Sequence, residues 1–172
     1  MSPLPHARRR ALTALSAFLL AAAEAAAQAA PPGAPPVSPS KGDVVPVFET
    51  LGVDGKPAKV DFPKSSKTVL LFFLSGCPSC HKMIPEWNRA YERRSKELKI
   101  VGVIMDPDQA PPAFWSTTAI SFPVLRSPGR EFLRTLNVNR APLTLRVGEG
   151  GRVEDLALGI VDPIRLGELF KP

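Results

Sequence analysis

Two stretches of the chain have no polar face, and the segment between them has one. Thr68 to Leu74 (Thr-Val-Leu-Leu-Phe-Phe-Leu) and Ile100 to Met105 (Ile-Val-Gly-Val-Ile-Met) are apolar almost throughout, the pattern of parallel strands covered on both sides. Between them Ile84, Trp87, Tyr91 and Leu98 recur at helical spacing with Lys, Arg and Glu in the gaps, which predicts a helix with one apolar stripe facing a core. Strand, helix and strand in this order make a βαβ unit. Pro85 falls inside the helix and should kink it, because proline lacks the backbone donor and its ring crowds the preceding turn.

The flanking segments are shorter. Val45, Val47 and Phe48 suggest a strand, and Asp54-Gly55 is a turn dipeptide before the extended Ala58 to Phe62, so a small hairpin is expected. Pro111 or Pro112 can start a short helix carrying Phe114 and Trp115, with Trp115 read as a packing residue; Phe122 to Leu125 reads as a brief strand, and Arg130 to Leu136 as two helical turns after Ser127-Pro128-Gly129. Leu143, Leu145 and Val147 alternate with Thr144 and Arg146, then Gly148-Glu149-Gly150-Gly151 turns the chain into Val153 to Leu158, an antiparallel hairpin. Asp162 can cap a last helix that begins at Pro163 and offers Ile164, Leu166, Leu169 and Phe170 to the sheet. The expected class is α/β, with a central mixed sheet of four to five strands flanked by helices on both faces.

The N-terminal end follows other rules. Residues 1–29 combine Arg8-Arg9-Arg10, an apolar stretch from Ala11 to Ala23 and Ala-rich cleavage candidates, which reads as an export signal. Its uncharged run is shorter than the ~20 residues of a membrane span, so removal is expected, with membrane contact only if the segment is retained. Residues 30–41 are a Pro-rich flexible linker, and residues 42–172 the folded domain. The net charge is +6, but three of the arginines lie in the leader. No stretch mixes clustered Lys or Arg with aromatics, so nucleic-acid binding has no support.

The first apolar run stops at Cys77-Pro78-Ser79-Cys80, the only two cysteines present. A strand that delivers Cys77 to the first turn of a helix puts its sulfur among unpaired N–H groups at the positive end of the helix dipole, which favours thiolate over thiol. Cys80 lies about one turn on, close enough for a small disulfide, so a reversible dithiol is the first reading. His81 extends the motif to the Cys-x-x-Cys-His pattern of c-type haem attachment, and two thiolates also suit Cu(I) carriage. A peroxidatic site lacks the threonine it needs, and a bridge this short would remove little chain entropy as a structural staple.

With Pro85 five residues after Cys80, and Arg140-Ala141-Pro142 just before the hairpin, the chain resembles the thioredoxin superfamily, and within it the TlpA/ResA-type exported thiol-disulfide oxidoreductases. The resemblance covers about Gly42 to Phe170. It implies a thioredoxin-like fold, Cys77 as nucleophile, Cys80 as the resolving cysteine, support from Pro78, Ser79 and His81, and a cis Ala141-Pro142 bond beside Cys77 as a docking edge. It also implies periplasmic or other extracytoplasmic work, reduction of disulfides in client proteins, a DsbD/CcdA-type membrane electron donor, and no metal or cofactor beyond the redox-active Cys77 and Cys80 pair. Two positions depart from the family: the buried acid of thioredoxins is Leu71 here, and the glutamate of some ResA-type members is Met83. The expected site therefore has no carboxylate near its thiols.

Overall fold

In the computed structural model, which describes residues 38–171, the run from Thr68 lies in the central strand of a five-stranded sheet. The elements in chain order are β1 (Phe48–Leu51), β2 (Pro57–Val60), β3 (Lys67–Phe73), α1 (Pro78–Arg93), β4 (Leu98–Ile104), α2 (Pro112–Thr117), β5 (Val124–Arg126), α3 (Arg130–Thr135), β6 (Leu143–Val147), β7 (Val153–Leu158) and α4 (Pro163–Leu169). The predicted leader, residues 1–29, and most of the Pro-rich linker lie outside the described residues.

The large sheet has the order β5-β4-β3-β6-β7. β3, β4 and β5 run parallel, so α1 is the crossover of the predicted βαβ unit, whereas β6 and β7 are antiparallel to their neighbours. β1 and β2 form a separate antiparallel pair that touches the sheet through Gly52 and Leu125.

All five residues from Val69 to Phe73 are 0% exposed, and strand alternation divides them between two cores. Val69, Leu71 and Phe73 pack with Met83, Ile84 and Trp87 of α1, Phe114 of α2, and Leu166 and Leu169 of α4. Leu70 and Phe72 face the other way, onto Phe48, Val60, Leu136 and Val138, with Phe132 and Leu133 of α3 against them. Burying side chains of this size contributes about 1.5–3 kcal/mol each, and this puts the parallel strands at the centre. β4 carries Gly102 because a Cβ there would lie 2.7 Å from a ring carbon of Phe122 and 3.1 Å from one of Phe73. Trp87 donates its indole N–H to the Thr144 hydroxyl at 3.2 Å, which satisfies a buried threonine of β6.

Three expectations need correction. Leu98 is in phase with the apolar stripe of α1, yet it opens β4. The helix ends because Arg94 turns extended, donates its guanidinium to the Tyr91 carbonyl at 2.6 Å and stacks over the Tyr91 ring. Val47 is 55% exposed and precedes β1; Pro46 cannot donate to a ladder, and Val45 instead bonds singly to the Gly151 carbonyl at 2.8 Å. That approach is so close that a Cβ on Gly151, whose φ is +82°, would sit 2.0 Å from Val45 O. Ile164 is 81% exposed. Asp162 caps α4 by accepting the N–H groups of Ile164 and Arg165, and Ile164 lies two positions before Leu166, which turns it to the opposite side of the helix.

Candidate active site

Three residues, Leu74 to Gly76, separate the end of β3 from Cys77. Cys77 is the N-cap of α1, in extended conformation at φ −88° and ψ 112°, and Pro78 is the first helical residue, where a missing N–H costs nothing. The Cys77 Sγ accepts the Cys80 N–H at 3.2 Å. The sulfur thus takes the place that a serine or aspartate oxygen takes in an ordinary cap, at the positive end of a sixteen-residue helix. Cys77 is half-buried, Pro78 exposed and Ser79 half-buried, while Cys80 is 0% exposed. Both cysteines are free thiols.

Burial pushes the Cys80 thiol up from 9.0 to about 12, reinforced by its Cys77 neighbour and by the charge of Asp106. Two sulfurs of unequal character therefore sit one turn apart, the outer one accessible and the inner one held as a thiol.

The antiparallel register explains the proline. Leu143 pairs with Phe72, so the residues just before β6 pass the end of β3 and reach the cysteines. The Ala141-Pro142 bond is cis, and the Ala141 carbonyl accepts from the Cys77 Sγ at 3.7 Å. His81, in the first turn of α1, has Nε2 2.7 Å from the Ser75 carbonyl and meets Phe114 edge-on at 5.6 Å. The ring nitrogen that a haem reading would use is occupied by the linker. Leu71 and Met83 are both buried in the core, and the Met83 sulfur accepts the Val161 N–H at 3.4 Å. Trp115 is 38% exposed and stands edge-on to Phe114. Among the described residues, no three His, Cys, Asp or Glu side chains are grouped to share a metal ion.

The expectation that no carboxylate stands near the thiols is wrong. β3 and β4 are parallel with Phe73 opposite Ile104, and Met105 N–H continues the pairing to Phe73 O at 2.9 Å. The next step brings Asp106 against Ser75. Its carboxylate accepts the Ser75 N–H at 2.9 and 3.1 Å and the Ser75 hydroxyl at 2.7 Å. From the sequence Asp106 is only the polar residue that ends a strand. The overlooked signal is that both parallel strands end together, and the carboxyl ends of such strands are where open α/β sheets build their sites.

A family model described as Redoxin matches residues 40–164. Sporulation thiol-disulfide oxidoreductase A of Bacillus subtilis is 26% identical over 110 residues, which cover 61% of this chain and 67% of that protein. Among solved structures, StoA from Bacillus subtilis aligns with a TM-score of 0.63 at 23% identity, covering 79% of this chain and 100% of that one. A protein assigned as the thiol:disulfide interchange protein DsbE of Chlorobium tepidum aligns with a TM-score of 0.65 at 25% identity, covering 77% and 96%. The exposed lipoprotein thioredoxin Etrx1 of Streptococcus pneumoniae aligns at 0.61 and 22% identity, covering 72% and 97%. With a dithiol at a strand-to-helix junction and a matching fold, this chain belongs to the Redoxin family and is a thiol-disulfide oxidoreductase with a thioredoxin-like fold.

Proposed function

We propose that the protein is exported and reduces disulfides of extracytoplasmic client proteins, with Cys77 attacking and Cys80 resolving. The observation that carries this reading is the unequal placement of the two sulfurs. Cys77 stands half-exposed at the helix cap beside the Ala141 carbonyl, and Cys80 lies fully buried one turn behind it.

In the first step the Cys77 thiolate attacks a client disulfide, forms a Cys77–client bond and releases one client thiolate. In the second, Cys80 gives up its proton and attacks Cys77 Sγ; the Cys77–Cys80 bond forms as the mixed disulfide breaks, and the second client thiolate leaves. Two electrons pass to the client, and the resulting disulfide needs a dithiol donor to restore it. A DsbD/CcdA-type membrane relay fits that need in an oxidising compartment. Ala141 O and the exposed backbone around it offer a docking edge for the client, with Pro142 fixing the loop and Pro78, Ser79 and His81 shaping the helix start. No cofactor is required beyond the two sulfurs. Export is supported by the leader pattern of residues 1–29 ahead of the linker at 30–41 and the domain at 42–172. No helix among the described residues is long and apolar enough to cross a membrane.

Trapping tests the roles. Cys80→Ser should accumulate client proteins joined through Cys77, released by reductant, whereas Cys77→Ser should not. Absence of any Cys77-linked adduct would refute the assignment. Direction is tested by equilibration with glutathione: a potential near the strong-oxidant end, about −120 mV, would make the protein a disulfide donor instead.

A further inference from the structure

Ser75 is gripped from two sides. Its N–H and hydroxyl donate to Asp106, and its carbonyl lies 2.7 Å from His81 Nε2. The residue is 5% exposed, so these bonds satisfy polar groups that water does not reach. It also lies in the short linker that sets the height of Cys77 above the sheet. A carboxylate held by two donors through three contacts is fixed in position, and a fixed charge beside a buried group is poorly screened. The ionisable groups acting on Cys80 are Cys77 on its own helix and Asp106 from the end of β4; His81 is its neighbour in α1. Asp106 adds to burial in opposing ionisation of Cys80.

We propose that Asp106 is a positioning residue of the dithiol centre: it anchors the Ser75 linker beneath Cys77, and its fixed negative charge slows the attack of Cys80 on the mixed disulfide, prolonging the covalent complex with the client. The inference rests on the reading of Cys77 as the attacking thiol. The step it governs is the second one, in which Cys80 loses its proton to solvent, its sulfur bonds to Cys77 Sγ, and the electron pair of the Cys77–client bond leaves on the client sulfur.

The test uses reduced full-length protein, the aromatic disulfide dithiobis(nitrobenzoate) as client, and stopped-flow absorbance at neutral pH. Attack by Cys77 releases one thionitrobenzoate, and attack by Cys80 on the mixed disulfide releases the second, so each thiol has its own phase. Asp106→Asn keeps an oxygen for the Ser75 N–H and removes the charge. It should raise the ratio of second to first rate constant, by about threefold for each tenfold gain in Cys80 thiolate, because lower nucleophilicity offsets the rest. Asp106→Ser, a second uncharged replacement, should move the ratio the same way, and Asp106→Glu should hold it at the wild-type value. A carboxylate that only braced the fold would slow both phases together in both uncharged variants. A ratio that stays level or falls in whichever of the two folds overturns the proposal. A wild-type protein with no first phase at Cys77 would instead refute the function proposed above.

Discussion

Cys77→Ser isolates the buried sulfur and turns its environment into a rate. In the native dithiol, burial is the largest of the causes that push Cys80 from 9.0 to about 12. Relative to an ordinary exposed thiol, that leaves about a thousandfold less thiolate at neutral pH. The stronger nucleophilicity of a more basic thiolate returns about twentyfold, so Cys80 should react about fiftyfold more slowly than an exposed reference such as glutathione. Replacing Cys77 removes the neighbouring sulfur but keeps the burial and Asp106, so the deficit should remain at least about tenfold. Alkylation by iodoacetamide, followed by intact-mass spectrometry with and without denaturant, measures it. The deficit should vanish on unfolding. Native Cys80 reacting within about threefold of glutathione, with the fold intact, would show that helix α1 does not shelter it and would undo the distinction between the two sulfurs.

Gly102→Ala should destabilise the domain by about 1–3 kcal/mol in urea titration, because the new methyl meets Phe122 and Phe73 in a packed core; an unchanged midpoint would show that those rings give way freely. Acid should weaken the β7 and α4 region. The Arg165 guanidinium, helped by Lys41, holds the Asp155 carboxyl well below its ordinary range, and at Glu154 burial pushes upward but is outweighed by Lys67 and Arg146. Both carboxylates are thus more acidic folded than unfolded, so their contribution is complete above the unfolded values and is lost as pH falls through about 4.5 and below. The melting temperature should be level from neutrality to about pH 5 and then drop, and Asp155→Asn should flatten that drop; an equal acid slope in the variant would exclude the pair as its cause.

Local pattern was enough for the elements that carry their own signature. The unbroken apolar runs of β3 and β4, the helical stripe between them, the Asp162 cap and the alternating hairpin of β6 and β7 each specify a conformation through neighbours in sequence. Because β3 leads directly into the cysteines, the location of Cys77 at a helix N-terminus and of Cys80 one turn behind it was legible too. Phase alone misled at Leu98 and Ile164, since periodicity does not say where a helix stops or which residue of its first turn faces the core. Tertiary structure decides the company the thiols keep: the family resemblance implied Ala141 beside Cys77, but no local pattern did, and nothing in the sequence pointed to Asp106. Ala141 O reaches Cys77 through the pairing of Leu143 with Phe72, and Asp106 reaches Ser75 through the register of Phe73 with Ile104. Both contacts span more than thirty residues, and a strand's register, set by which side chains fill the two cores, has no counterpart in the local order of residues.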